Sequence, residues 1–148
     1  MSIVAVPAAA QARMNRAERH VVKRINTLRA QNGLHRLNGD PRLAEAADNH
    51  NRDMLGQDFF AHPSSNGTST YDRVRSYRRS NLIGETLAYM PVTGNSSARQ
   101  IVKLWIESPG HYAVMTTRSF RRIGVAKRRG TLFGQTVTVW TADFASRR

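Results

Sequence analysis

The chain has 148 residues, of which 23 are Lys or Arg and 10 are Asp or Glu, so its formal net charge at pH 7 is +13. This length predicts a single domain with a substantial buried core, and the charge creates a field that attracts polyanions. Because the chain contains no cysteine, disulfide frameworks, Cys-ligated zinc and thiol nucleophiles are excluded.

The first twelve residues differ in composition from the rest of the chain. Residues 1–12 are mostly small and apolar and end in Ala10-Gln11-Ala12, which fits the pattern before a signal-peptidase cut, although the usual basic segment is missing. The alternative is a disordered, alanine-rich tail. We therefore expect a signal-peptide remnant or disordered tail at 1–12 and a single domain at 13–148. No other apolar run approaches the roughly 18 residues of a membrane span, so we expect a soluble, secreted domain.

Three helices are predicted in the first half of the domain. The spacing of apolar residues predicts an amphipathic helix over residues 15–31. Asp40, followed by proline at the first helical position, predicts the cap of a second helix that ends near Gly56. A loop rich in Pro, Ser, Asn and Gly follows, after which Thr68 or Ser69 can cap a short third helix.

One more helix and two strands are predicted in the second half. The polar residues 91–97 lead into a helix that Pro109 must end, because proline cannot continue the hydrogen-bond ladder. Residues 122–127 and 136–144 are rich in Val, Ile and aromatic residues and predict antiparallel strands joined by a turn at 128–130. Helices first and strands later, without βαβ alternation, predict an α+β fold.

Three side chains that can bind a metal or move protons lie near apolar residues: His62, Glu85 and His111. Glu85 is the most informative, because a buried unpaired carboxylate costs several kcal/mol and needs water or a partner such as histidine. Two imidazoles and one carboxylate also form a familiar zinc set with an open fourth position. The separations along the chain match no short metal motif, so spacing alone leaves open whether these groups share a site.

Segments spread over the whole domain follow the pattern of one family. An alanine-rich helix with a His-x-x-Asp-Met core leads into Phe-x-His in AADNHNRDMLGQDFFAH (46–62), and a Gly-Glu motif lies in GETLAY (84–89). A Trp-x-x-Ser-Pro-Gly-His sequence is present in WIESPGH (105–111), and closing strands lie in RRIGVAK (121–127) and TVWTADF (138–144). In this order the segments resemble the CAP superfamily, also called SCP-like, in its cysteine-free bacterial form.

The resemblance implies an α-β-α sandwich with a central antiparallel sheet between helical layers. It also implies a large cleft lined by two histidines and two acidic residues. Carried over by motif, the histidines are His62 and His111, and the first acid is Glu85. Thr86 stands where the family has Asn after the glutamate, which puts the hydrogen bonding behind the site in doubt.

The sequence does not decide which residue supplies the second acidic group of the site. The family position falls on Ser108, whereas Glu107 lies one residue early, which is a rotation of about 100° around a helix. Tyr112, just past the helix break, is a candidate for the cleft wall. His50 belongs to the family's helix but not to the four site residues, and its apolar neighbours favour a core-edge histidine over a ligand.

We expect His62, His111 and Glu85 to hold a divalent metal, Zn or Mg, and we expect no organic cofactor. Roles proposed across the family are diverse and include lipid or sterol binding, ligand capture outside the cell and proteolysis. We expect a monomeric module that binds a small apolar or amphipathic ligand, such as a lipid, or an anionic envelope component. The alternative is a metal-assisted hydrolase, a peptidase or esterase, with Glu85 and Glu107 as candidate catalytic carboxylates.

Arginines are concentrated in two stretches, from Arg73 to Arg79 and from Arg118 to Arg129. They converge on one face if the third helix and the strand turn are neighbours; the alternative is ordinary solvated charge. Arginine binds phosphate bidentately, but no helix-turn-helix, zinc-finger or RNA-binding signature accompanies these residues, so nucleic acid is not expected. An anionic envelope polymer, or peripheral contact with lipid headgroups, suits an exported chain better.

Overall fold

The structure, a computed structural model, describes residues 13–92 and 97–147. The predicted N-terminal segment at 1–12 lies outside the described residues. The helices in this part of the chain are α1 (Arg16–Gln31), α2 (Pro41–Gln57), α3 (Thr70–Tyr77), α4 (Ala98–Glu107) and α5 (Pro109–Met115). The strands are β1 (Asn38–Gly39), β2 (Ile83–Pro91), β3 (Phe120–Leu132) and β4 (Gln135–Ser146). None of the described helices is both long and apolar enough to cross a membrane.

Side-chain caps start the first three helices where the sequence predicts them. Asn15 and Glu18 form a reciprocal capping box at the start of α1, which satisfies two main-chain N–H groups. Asp40 caps α2, and Ser69 caps α3. These helices therefore begin at positions that local hydrogen bonding dictates.

The four strands form one sheet in the order β1-β3-β4-β2. The central strand β4 pairs antiparallel with both β2 and β3. The short β1 pairs parallel with β3, so the predicted antiparallel sheet gains one parallel strand at an edge. Strand β2, which carries Glu85, forms the opposite edge of the sheet.

Helices cover both faces of the sheet. Alternate residues of β4 point to opposite faces, as they must in any strand. Trp140 and Phe144 pack with residues of α1, α4 and α5 in one hydrophobic core. Val139 packs on the other face with Met54 of α2. This arrangement confirms the predicted α+β fold with an α-β-α sandwich architecture.

The structure adds a helix to the predicted second half and moves one turn. Pro109 does follow the end of α4, but it also takes the first position of α5, where its missing N–H costs no hydrogen bond. The strands also continue past the predicted turn at 128–130 and reverse at Phe133-Gly134. Both residues of this loop have positive φ, which suits a two-residue hairpin between twisted strands.

The α2 helix approaches the sheet most closely at Gly124. A Cβ atom at this position would overlap the backbone of Leu43 and Ala44, so only glycine permits the contact. Gly124 pairs across the ladder with Asp143, which pairs on its other side with Glu85. The close approach therefore brings α2 down over the row of the sheet that holds both carboxyl groups.

Arg29 of α1 is fully buried and ties α1 to the connection after α5. Its guanidinium donates four hydrogen bonds of 2.8 to 3.2 Å to main-chain carbonyls, those of His35, Met115, Thr117 and Phe120. Three of these carbonyls lie at or just after the end of α5. Arg29 therefore helps to position the helix that carries His111.

Candidate functional site

Two carboxyl groups lie side by side on the sheet face that α2 and α3 cover. Glu85 on the edge strand β2 and Asp143 on the central strand β4 are direct cross-strand partners. Both residues are buried, with 5% and 0% of their surface exposed. Because like charges in opposed positions destabilise a sheet, this pair requires a proton, a cation or both.

Arg73 of α3 supplies the cation. Its Nη2 donates to Oε2 of Glu85 at 2.6 Å, and its Nη1 lies 3.7 Å from Oδ2 of Asp143. Nη2 also donates to the main-chain carbonyl of His62 at 3.2 Å. Only 9% of the Arg73 side chain is exposed, so water screens its charge weakly. Arg73 therefore links both carboxyl groups to the loop that carries His62.

The two carboxyl groups differ in their protonation. Burial opposes ionisation of Glu85, but the hydrogen bond from His62 and the charges of Arg73 and His50 lower its pKa to about 2. Burial and the negative charge of Glu85 raise the pKa of Asp143 well above its usual value. Neither oxygen of Asp143 has a hydrogen-bond donor among the described residues, which fits a carboxyl group that keeps its own proton. The favoured state therefore has its negative charge on Glu85, balanced by Arg73.

His62 lies in the loop between α2 and α3 and contacts Glu85 directly. Its Nδ1 is 2.9 Å from Oε1 of Glu85, and because an ionised carboxylate only accepts, Nδ1 carries the proton. In the neutral ring Nε2 is then the free acceptor, on a side chain that is 51% exposed. A buried carboxylate thus sets the orientation and the tautomer of a histidine that faces solvent.

His50 of α2 is a second histidine beside Glu85, but it is buried. Its Nε2 donates to the carbonyl of Ala61 at 2.8 Å and lies 3.9 Å from Oε1 of Glu85. Burial lowers the pKa of His50 and outweighs the charge of Glu85, which acts in the other direction. His50 therefore occupies a core position and holds the loop residue that immediately precedes His62.

His111 comes to the site from the other helical layer. Its helix α5 packs against β2, and its ring centroid lies 6.5 Å from that of Trp105. Burial, and after it the charge of His62, lowers the pKa of His111. Of the three predicted side chains, His62 therefore contacts Glu85 directly, whereas His111 lies on the helix that packs against the edge strand β2.

The structure places Glu107 away from these groups. Its carboxylate is exposed and lies 3.9 Å from Nζ of Lys103, one turn earlier on α4. Ser108 joins α4 to α5 and brings no carboxylate. The acid that neighbours Glu85 is Asp143, which comes from the last strand rather than from the tryptophan helix.

Tyr112 also makes its described contacts elsewhere. Its hydroxyl donates to Oδ1 of Asn32, at the end of α1, at 3.3 Å. Its ring packs against the hydrophobic core beneath α1 and α4. These contacts connect α5 to α1, and Tyr112 has no described contact with Glu85.

The sequence analysis did not predict Asp143 and Arg73 as site residues, for different reasons. Asp143 carries the signal that singled out Glu85, because it is one acid among apolar and aromatic residues in TVWTADF (138–144). Arg73 carries no such signal. It is one of four arginines between residues 73 and 79, and the fold alone decides which of them turns inward.

A metal set of His62, His111 and Glu85 does not fit the observed contacts. Oε1 of Glu85 interacts with His62 and Oε2 with the positive guanidinium of Arg73, so both carboxylate oxygens are engaged. Within residues 13–92 and 97–147, no group of three or more His, Asp or Glu side chains is arranged to hold a metal ion. The observed contacts therefore do not provide the three-ligand set that the sequence predicts.

Known proteins match this chain over the same segments. The model of the CAP, or cysteine-rich secretory protein, family matches residues 22–144. In Bacillus subtilis (strain 168), the uncharacterized protein YkwD is 29% identical over 128 residues, which are 86% of this chain and 46% of that protein. The uncharacterized membrane protein YlbC of the same organism is 29% identical over 114 residues, 76% of this chain and 32% of that protein. The chain thus spans less than half the length of these relatives.

Solved structures with the same fold come from other bacteria. An outer surface protein from Borrelia burgdorferi superposes with a TM-score of 0.72 at 22% identity, over 88% of this chain and 92% of that chain. An extracellular protein containing an SCP domain from Bacillus anthracis superposes with a TM-score of 0.73 at 23% identity, over 88% and 40% of the two chains. At these identities the similarity shows the shared fold.

Proposed function

Because the chain belongs to the CAP, or cysteine-rich secretory protein, family, we propose that it is a ligand-binding domain that works outside the cytoplasm. The ligand contacts the rings of His62 and His111, and Glu85, Arg73 and Asp143 form the buried support behind them. The observation that carries this proposal is the engagement of both Glu85 oxygens, one by His62 and one by Arg73.

The state of Glu85 favours binding over hydrolysis. A general base needs a pKa near the working pH and an oxygen within reach of the proton that it removes. The pKa of Glu85 is lowered to about 2, and its oxygens already interact with His62 and Arg73. Glu85 is therefore suited to hold a histidine in one orientation. A binding site needs only such fixed polar anchors beside an apolar surface.

The apolar surface beside the histidines is a row of aromatic rings. Tyr89 lies on the same face of β2 as Glu85, four residues further along, which is about 13 Å at roughly 3.3 Å per residue. Its ring packs edge-to-face on Phe60, at 4.8 Å between centroids, and on Phe133, at 6.2 Å. Tyr89 and Phe133 are exposed. This row supports a small amphipathic ligand whose apolar part covers the rings and whose polar end donates to His62.

A location outside the cytoplasm is supported by the related structures. Those from Borrelia burgdorferi and Bacillus anthracis are named as an outer surface protein and an extracellular protein. The chain also contains no cysteine, so an oxidising compartment would not alter its covalent structure.

The ligand proposal is tested on protein recovered from an expression host, by extraction and mass spectrometry of the molecules that copurify. In the double variant His62→Ala with His111→Ala, we expect the amount of a copurified amphipathic molecule to fall roughly tenfold or more below that in the wild type. The reason is that two hydrogen bonds of about 1 kcal/mol each are lost. The matched control is His20→Ala with His35→Ala, which removes two exposed histidines. Equal amounts in all three proteins, or no such molecule in the wild type, would overturn the proposal.

Hydrolysis is a second candidate, and one observation favours it. The carboxylate holds the Nδ1 side of His62, so the neutral form of the ring has Nε2 free to accept a proton from a nucleophile. In this case turnover of a peptide or a nitrophenyl ester is lost in His62→Ala and kept in Ser64→Ala. Such turnover would identify the site as hydrolytic and would overturn the binding proposal.

Zinc provides a separate test, and the metal predicted from the two histidines and Glu85 stays a prediction until that test is done. A metal present at about 100 times its dissociation constant would stabilise the fold by about 2.7 kcal/mol and raise the melting temperature by roughly 6–10 °C. Because both oxygens of Glu85 are engaged, we expect equimolar zinc to leave the melting temperature unchanged. A rise of that size in the wild type, absent from His62→Ala with His111→Ala, would show that the rings hold the metal after all.

A further inference from the structure

A concave site lies at the end of α3, and the proposed ligand site does not use it. This pocket has a volume of about 400 Å³ and is lined by Arg42, Arg75, Ser76, Tyr77, Arg78 and Arg79. Four of its six lining residues are arginines. We call it the basic pocket.

The positive charge of the basic pocket is largely uncompensated. Within the described part of the chain, the guanidinium groups of Arg42, Arg75 and Arg79 have no carboxylate partner. Cations that line one concavity raise the local potential and concentrate anions there. An anion in the pocket would relieve their mutual repulsion.

Contacts within the fold hold part of the basic pocket in place before any ligand arrives. Nε of Arg78 lies 3.4 Å from Oδ2 of Asp40, the buried cap of α2. The guanidinium of Arg75 lies over the ring of Tyr71, 5.7 Å from its centroid. Side chains that are already oriented lose less conformational entropy when a ligand binds.

The basic surface continues beyond the pocket. Nη1 of Arg122, on β3, lies 3.8 Å from the same Asp40 oxygen that Arg78 approaches. The end of α3 and the start of β3 are therefore neighbours, and one carboxylate is shared between two arginines. Arg128, further along β3, pairs with Asp48 instead.

We propose that the basic pocket binds phosphate groups of a linear polyol phosphate, a phosphodiester polymer without nucleobases. Guanidinium groups match phosphate oxygens bidentately, and three unpaired ones are present here. The extension of the basic surface to Arg122 favours a chain of phosphates over a single ion. The pocket lining holds no aliphatic side chain to receive acyl chains, which favours a polymer over a lipid headgroup.

The pocket and the ligand site can be tested independently, because they use different faces of α3. Arg73 turns inward to Glu85 and is nearly buried, whereas Arg75 and Arg79 are exposed. Substitutions at the latter two residues leave the contacts of Glu85 in place. Loss of polymer binding therefore says nothing against the ligand site, and loss of the copurified ligand says nothing against the pocket.

The experiment measures the affinity of a fluorescent oligo(glycerol phosphate) by anisotropy at physiological salt. For Arg75→Gln with Arg79→Gln we expect an affinity loss of roughly 30- to 100-fold, because each lost charge-assisted bond accounts for about tenfold. The control is Arg24→Gln with Arg99→Gln, which removes the same charge from exposed positions on α1 and α4. Its loss should be about twofold, from the weaker long-range field.

Three outcomes would overturn the proposal. One is an equal loss of affinity in both double variants, because the polymer would then respond to the overall charge of the protein and not to the basic pocket. The others are tighter binding of phosphatidylglycerol vesicles, or of single-stranded DNA with the same number of phosphates, than of the oligomer. Arg42→Gln with Arg75→Gln probes the same pocket if the first pair changes the melting temperature, and it must show the same selective loss.

Discussion

Arg73→Met is expected to lower the free energy of unfolding by about 3–5 kcal/mol at pH 7, the usual cost of removing one partner from a buried ion pair. The variant keeps the length of the side chain but leaves Glu85 and Asp143 in a buried sheet without a cation. The loss is measured by urea denaturation followed by circular dichroism. The His62 loop also loses a hydrogen bond from Arg73, so ligand retention should fall in parallel.

Asp143→Asn is the matched control for this prediction. The amide is neutral, as the protonated carboxyl is, and it has nearly the same shape. We therefore expect the free energy of unfolding to stay within about 1 kcal/mol of the wild type or to rise, because burying an acid with a raised pKa has a cost at neutral pH. Similar losses in Arg73→Met and Asp143→Asn would contradict the charge assignment.

The pH dependence of stability should separate the two carboxyl groups. The pKa of Glu85 is lower in the folded chain, so its contribution is present above its unfolded value near 4.5 and is lost as the pH falls through about 2. The pKa of Asp143 is raised, so its folded form binds the extra proton, and stability falls as the pH rises above the unfolded value of 3.8. Asp143→Asn should therefore remove the second effect and keep the first.

Arg29→Met is expected to cost about 3–5 kcal/mol, a loss comparable to that of Arg73→Met. Its guanidinium satisfies four main-chain carbonyls at a fully buried position, and methionine satisfies none. Each unsatisfied buried acceptor costs roughly 1–3 kcal/mol before the structure relaxes. The measurement is again the free energy of unfolding, together with the chemical shifts of the His111 ring, which should move because Arg29 anchors the end of α5.

Two further substitutions make the Arg29 result specific. Arg24→Met lies on the same helix at an exposed position and should change stability by no more than about 0.5 kcal/mol. Arg29→Lys should recover only part of the loss, because an ammonium group has three donors and lacks the planar fork. If Arg29→Met behaves like Arg24→Met, the four carbonyls find water instead, and Arg29 does not position α5.

Arg73 and Arg29 support different halves of the proposed ligand site. Arg73 acts from the α2 and α3 layer, where it balances the carboxylate that orients His62. Arg29 acts from the α1 layer, where it anchors the helix that carries His111. The ligand proposed here contacts both histidines, so each layer must be held in place for the site to work.

Local sequence patterns were sufficient to predict much of the fold. Asn15, Asp40 and Ser69 cap helices by bonding to main-chain N–H groups within three residues, so their positions are readable from short segments. The hairpin reversal was misplaced because the polar residues at 128–130 resemble a turn. In the fold they continue the β3 ladder, where Gly130 pairs with Val137 and takes part in sheet hydrogen bonding.

By itself, the sequence determined the fold class, the starts of helices α1 to α4 and the importance of Glu85, because a lone carboxylate among apolar residues must find a partner. Only the tertiary structure decided which partners it found. Asp143 meets Glu85 through strand register, and Arg73 meets both because α3 turns that one arginine inward. Glu107 turns to Lys103 on the surface. Charges separated by many residues interact only after folding has set their distance and removed the water between them.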